Sequence, residues 1–211
     1  IDDALAMVPN IKEQLKIESQ PVAIFSGTIN QGKKLDLLLM SFSIVLEKMK
    51  FKDPRLVVVG DGVELENCKK IARELNITKS VHFVGRQEKN ASIYFLISQI
   101  AVMPGLGGLG INHAFAHKLP MICGNADGCE YDLVEDNKTG YILEDLTVKN
   151  LSDKLILMLT NQDLAKKLGK NAYNLIINKN SMNQMVNRIE DVINTITLQK
   201  QGLKLEYLKK K

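Results

Sequence analysis

Short apolar runs alternate with helix-spaced patterns along this chain, and run after run ends in glycine. V-A-I-F at 22–25 leads into Ser26-Gly27, L-V-V-V at 56–59 into Gly60-Asp61-Gly62, V-H-F-V at 81–84 into Gly85-Arg86, and I-A-V-M at 100–103 into Pro104-Gly105. M-I-C at 121–123 ends in Gly124, and Y-I-L at 141–143 supplies a further run. Apolar residues at helical spacing fill 35–49; Leu65, Cys68, Ile71, Ala72 and Leu75 share one helix face; and 91–97 reads as a short helix. Continuous apolar runs without period-two alternation belong to strands covered on both faces, and strands separated by helices pair in parallel. After Leu143 the pattern is helical only, at 148–160, 162–177 and 181–196. The expected fold is α/β: a Rossmann-like, doubly wound parallel sheet closed by C-terminal helices.

At 211 residues the chain suits one large domain or two small ones. Residues 1–20, closed by Pro21, read as a linker or N-terminal helix, 21–197 as the sheet domain and 198–211 as a charged tail. No apolar run reaches the roughly 20 residues of a membrane helix, and Ile1-Asp2-Asp3 is not a basic signal-peptide start. A cytoplasmic chain is expected, and one that opens without Met reads as a piece of a longer protein. Cys68, Cys123 and Cys129 form no C-x-x-C pair and read as reduced structural thiols. His113 and His117, at i and i+4, share a helix face without a third ligand nearby, so no metal site is expected. Net charge is +4 with 5% aromatics, which leaves nucleic-acid binding by stacking and a basic stripe without support.

Ligands of doubly wound sheets bind outside the carboxyl ends of the strands. Here those ends are glycine-rich, most of all at Gly105, Gly107, Gly108 and Gly110, which lead through Leu109 to a helical run at 113–118. Glycine lets a backbone approach a ligand closely, and a helix start offers free N–H groups to an anion. The same glycines also suit a tight turn that binds nothing. Gly27 to Lys33 fits G-x-x-x-x-G-K after a strand, as in P-loop NTPases, but Lys34 stands where that loop needs a magnesium-binding hydroxyl.

Taken together the motifs resemble one family. G-R-L-x-x-x-K-G-x-D compares with Gly27-Thr28-Ile29-Asn30-Gln31-Gly32-Lys33-Lys34-Leu35-Asp36, G-x-G with Gly60-Asp61-Gly62, and V-x-F-x-G with Val81-His82-Phe83-Val84-Gly85. E-A-M-A-x-G-x-P-V-I compares with H-A-F-A-H-K-L-P-M-I from His113, and D-G-x-T-G-x-L with D-N-K-T-G-Y-I-L from Asp136. Over about residues 22–197 the chain resembles the C-terminal, donor-binding domain of retaining group 1 glycosyltransferases, one half of a GT-B fold.

The resemblance implies a nucleotide-diphosphate sugar as donor, no cofactor and no metal. Lys33 stands where the family's lysine meets the diphosphate, and Thr28 replaces its companion arginine. Gly85 and Arg86 stand where the nucleotide base is held. Gly105 and His113 replace two glutamates, eight positions apart, that hold the donor sugar and the ribose; His113 retains hydrogen-bonding capacity, Gly105 only its backbone N–H. The backbone of 107–110 is left to cradle the phosphates. Asp132 matches the acidic residue before the closing motif, where a capping role and donor contact are equally open. The resemblance further implies a saccharide or lipid-linked acceptor bound by a missing N-terminal domain, front-face transfer with retention, and contact with the inner face of a membrane. A degenerate, non-catalytic interaction domain is the other expectation.

Overall fold

The computed structural model describes the backbone of residues 2–179 and 182–209 and the side chains of 4–179 and 183–197. Six strands, β1 (Val22–Ser26), β2 (Arg55–Val59), β3 (Val81–Gly85), β4 (Ile100–Met103), β5 (Met121–Gly124) and β6 (Gly140–Leu143), form one parallel sheet in the order β3-β2-β1-β4-β5-β6. Each run expected to be a strand is one. The helices are α1 (Asp2–Gln14), α2 (Leu35–Lys48), α3 (Leu65–Glu74), α4 (Ala91–Leu96), α5 (Leu109–Ala116), α6 (Cys129–Leu133), α7 (Val148–Thr160), α8 (Gln162–Lys179) and α9 (Met182–Lys209).

Burial on both sheet faces explains the lack of alternation in the strand sequences. In β1, Ala23 and Phe25 join a core with Leu38 and Phe42 of α2 and Leu151 and Leu155 of α7, and α2 lies against α7. Leu35, Leu38, Leu39, Phe42 and Val45 fall on the inward stripe of α2, at the spacing that faces a helix toward a core. Ile93 and Phe95 of α4 and Ile111 and Phe115 of α5 are equally buried, with α5 against β4 and β5. The expected segment at 1–20 opens as α1, which runs through Pro9 and packs on α4.

Three local features differ from the sequence reading. Helix α5 begins at Leu109, four residues ahead of the helical run read from His113, so Leu109 and Gly110 lie in its first turn. A 3₁₀ turn at Gln31–Lys33 and the five-residue α6 were not expected. Both are too short to show periodicity.

The chain divides into two compact units, residues 1–173 and 174–211. The first holds the sheet and the helices that cover it. In the second, Arg188 donates to the Lys179 carbonyl at 2.9 Å, and Met185, Val186, Ile189, Val192, Ile193 and Ile196 leave an apolar face exposed on α9. The helix read from Ser181 and the tail read to Lys211 each begin or end outside the described residues.

Phe42 is fully buried, so Phe42→Ala is expected to cost about 3–5 kcal/mol of unfolding free energy. Phe51→Ala, at a ring 95% exposed, is expected to stay within about 0.5 kcal/mol of wild type, both read from urea denaturation.

Candidate functional site

Strand order reverses between β1 and β4, so the connections leaving their carboxyl ends diverge and open a crevice. Residues 27–34 leave β1 and 104–108 leave β4, and the two segments meet. The Gly105 N–H donates to the Lys33 carbonyl at 3.3 Å and the Leu106 N–H to the Gly32 carbonyl at 3.0 Å. A Cβ on Gly105 would stand 1.9 Å from the Gly32 oxygen, so this approach excludes every side chain. On the other flank, a Cβ on Gly60 would stand 1.9 Å from the Gly27 oxygen and one on Gly62 2.2 Å from the Ile29 oxygen.

These contacts give the glycines a packing role beside the ligand role read from the sequence, and they correct that reading at the Gly105 N–H. Gly60, Gly62 and Gly105 are small because another loop's backbone lies against them, and the Gly105 N–H left over for a ligand in that reading is taken by Lys33. Gly110 seats the first turn of α5 close over the strand ends, where an added Cβ would meet the Ser26 oxygen at 3.1 Å. Gly108, at φ 101°, turns the chain into α5 with open space beside it. The α5 start thus stands at the crevice, where its first N–H groups lie beyond the reach of intrahelical acceptors.

Lys33 crosses this crevice. Asn30 caps its turn, taking the Lys33 N–H on Oδ1 at 3.2 Å. The ammonium Nζ donates to the Leu106 carbonyl and, at 2.8 Å, to the Gly107 carbonyl, clasping the glycine loop to the first connection. An ammonium carries three donors, so one remains for a ligand oxygen. Burial lowers its pKa below the usual lysine value, and the charges of Asp127 and then Cys129 oppose that. Lys34 ends the turn at φ 52° and ψ 41°, the left-handed region where the family motif carries glycine.

The remaining expected residues are spread along the same edge. Thr28 is exposed on the first connection, and Gly85 is open at the end of β3. Arg86 is exposed and 3.3 Å from Glu88. Leu109 is 84% exposed at the first position of α5. His113 lies one helical turn further on, half-buried, with its ring 4.3 Å from that of Phe95 and 4.9 Å from that of His117. The two histidines share a face as their spacing required, and His117 Nδ1 engages the His113 carbonyl at 2.8 Å. Burial first, and His117 second, push the His113 pKa below the usual histidine value, so its ring is neutral at pH 7 and able both to donate and to accept.

The sequence reading missed the β5–α6 loop. There the ligand atoms of Asp127, Cys129 and Glu130 lie within 4.8 Å of one another. Cys129 Sγ stands 3.0 Å from where a Gly107 Cβ would be, which places the trio against the glycine loop. Glu130 is 1% exposed; its Oε1 accepts the Ala126 N–H and its Oε2 has no hydrogen-bond partner. The only signal was D-G-C-E soon after the strand-end Gly124, two carboxylates three residues apart on a turn. Asp132 is exposed within α6. The closing motif is a structural turn: Thr139 Oγ1 accepts the Glu135 N–H at 2.8 Å and Asp136 Oδ1 the Ile142 N–H at 3.1 Å. Cys68 and Cys123 are buried free thiols, Cys123 with its pKa pushed up to about 12 by burial.

The model of the family described as "Glycosyl transferases group 1" matches residues 7–175. The chain belongs to the group 1 glycosyltransferase family. It is 30% identical over 155 residues to an uncharacterized glycosyltransferase of Haemophilus influenzae, covering 71% of this chain and 42% of that protein. It is 25% identical over 169 residues to the poly(ribitol-phosphate) alpha-N-acetylglucosaminyltransferase of Staphylococcus aureus, covering 77% of this chain and 33% of that one. The chain therefore spans less than half the length of these glycosyltransferases. Among solved structures, Anabaena HepE in complex with UDP and glucose superposes with a TM-score of 0.78 at 14% identity, over 90% of this chain and 52% of that one. These likenesses agree with the expected Rossmann-like half of a GT-B fold.

Within this group 1 domain, Gly105→Ala is expected to force the two loops apart. It should lower stability by about 1–3 kcal/mol in urea denaturation, against a smaller effect of Ala at Gly85, where a Cβ meets open space but a φ of 72° remains to be accommodated. His113 has a folded pKa below its unfolded value, so protonation favours the unfolded chain. Stability should fall as pH drops from about 7 through the usual histidine pKa toward the lower folded value. His82 is shifted the same way by burial and Arg55, so His113→Gln should weaken this acid sensitivity without abolishing it, read as melting temperature against pH.

Proposed function

We propose that this chain is the donor-binding half of a retaining glycosyltransferase that transfers a hexosyl group from a nucleotide-diphosphate sugar to an acceptor. The observation that carries the reading is Lys33, whose ammonium stands in the β1/β4 crevice beside the start of α5. A diphosphate placed there meets a point charge and the N–H groups of a helix N-terminus, both aimed at oxygens that gain charge as the glycosidic bond breaks. Lys33 would give its remaining donor to a diphosphate oxygen while it keeps its loop carbonyls, and the first turn of α5, from Gly108 through Leu109 to Gly110, would hold the phosphates. The neutral His113 would hydrogen-bond the ribose, and Gly85 with Arg86 would hold the base.

The transfer we infer needs no metal and no cofactor, because lysine and backbone dipoles supply the charge. Retention at the anomeric carbon is what the family resemblance implies, and a front-face displacement would achieve it without a covalent glycosyl-enzyme intermediate. Residues 1–20 would link to an N-terminal domain that binds a saccharide or lipid-linked acceptor, so the chain alone would bind donor and turn over poorly. No helix among the described residues is long and apolar enough to cross a membrane. Peripheral contact with the inner face of a membrane, from a cytoplasmic enzyme, is part of the proposal and would serve a lipid-linked acceptor. The family match and the S. aureus and Anabaena likenesses favour this reading over a P-loop NTPase or a non-catalytic interaction domain.

Calorimetry against UDP, GDP and ADP, with EDTA or with magnesium, tests it. One nucleoside diphosphate is expected to bind without metal, and Lys33→Ala to weaken it roughly ten- to hundredfold, the worth of a charged hydrogen bond. Silence from the folded chain, or magnesium-dependent binding of ATP, would overturn it.

A further inference from the structure

We propose that Asp127 and Glu130, on the loop between β5 and α6, form the subsite that reads the hydroxyl groups of the donor sugar. The inference rests on the donor reading above and adds to it which residues select the sugar.

A sugar is recognised through hydroxyls, and each hydroxyl needs an acceptor placed for its configuration. A carboxylate is the strongest acceptor a side chain offers, since its hydrogen bonds from O–H groups are short and charge-assisted. The β4 connection cannot provide one. Its first position past Pro104 is Gly105, sealed against the Gly32 carbonyl with no room for a Cβ. The carbonyls of Leu106 and Gly107 are turned toward Lys33.

The β5–α6 loop adjoins that crevice and carries acceptors in excess of its own needs. Asp127 is exposed, and its charge acts on Lys33. Glu130 is anchored by the Ala126 N–H on one oxygen, while the other, buried and without a hydrogen-bond partner, belongs to a group whose acceptor atoms converge within 4.8 Å. A buried carboxylate oxygen left unpaired is costly unless a ligand supplies the missing donor. Loop residues 125–128 are exposed, and Gly128 at φ 94° turns the chain into α6. Cys129, with its thiol against Gly107, holds the loop against the phosphate side of the crevice. Adjacent hydroxyls of a pyranose would then meet Asp127 at the mouth and Glu130 beneath it. A site built to hydrogen-bond a hydroxyl discriminates strongly against an analogue that misplaces it.

The test is calorimetry on the full chain, in EDTA, with UDP-, GDP- and ADP-linked hexoses that differ from one another at a single hydroxyl. Wild type is expected to prefer one sugar over its epimers at least tenfold. Asp127→Asn and Glu130→Gln, which keep the size of the side chains, should cut that preference below threefold while affinity for the bare nucleoside diphosphate is not weakened more than twofold. In Asp127→Asn, where a negative charge near Lys33 is lost, any change in that affinity should be a rise. The exposed Asp127→Asn keeps the test decisive should Glu130→Gln not fold. Preference intact in both variants would overturn this inference and leave the donor reading standing, as would a wild type indifferent to the epimers. Preference that appears only with zinc or magnesium would overturn it in favour of a metal ion in the Asp127, Cys129 and Glu130 group. Failure of every nucleoside diphosphate to bind would overturn the donor reading and this one with it.

Discussion

Everything at the ligand edge depends on backbone meeting backbone. The connections leaving β1, β2 and β4 lie so close that the Cα atoms of Gly60, Gly62 and Gly105 face carbonyl oxygens at distances no side chain survives. Hydrogen bonds run across the same seams, from Gly27 to Val59, Ile29 to Asp61 and Leu106 to Gly32. The three loops therefore behave as one surface, and Lys33 is fixed by both the turn that bears it and the loop it clasps. A charge held this way needs little reorganisation to meet an anion.

That surface rests on an ordinary scaffold. The strands are buried on both faces, and the switch in order between β1 and β4 is what spreads their connections apart. The start of α5 and the clasped lysine both fall at this opening, so positive potential collects at one point of the sheet edge. The carboxylates of Asp127 and Glu130 stand on the adjoining connection after β5, which sets the region proposed for the phosphates beside the one proposed for the sugar hydroxyls. A phosphate-linked sugar has that same division.

Much of the fold was legible because burial leaves a one-dimensional trace. Doubly covered strands write continuous apolar runs, and α2 and α3 write helical stripes, so the six strands and their parallel pairing could be read directly. The family could be read from the order of the motifs from Gly27 to Leu143. What periodicity could not reveal were elements shorter than its own wavelength test, such as the 3₁₀ turn that aims Lys33 and the α6 turn that carries Glu130. His113 was legible as a helix residue at the right position, but its packing against Phe95 joins α4 to α5, a pairing that no local pattern encodes.

By itself the sequence determined the α/β class, the strand ends that carry glycine, the place of Lys33 shortly after the first strand and the membership in a glycosyltransferase family, because each follows from local composition, spacing or motif order. Only the tertiary structure decided which backbone lies against the glycines and which carboxylates gather beside their loop. Gly105 reads identically whether a ligand or a neighbouring loop lies over it, and Glu130 reads as one more surface carboxylate. The difference lies in contacts between segments some 70 residues apart, such as Lys33 with Leu106 and Gly107, which exist only once the sheet has brought the ends of β1 and β4 side by side.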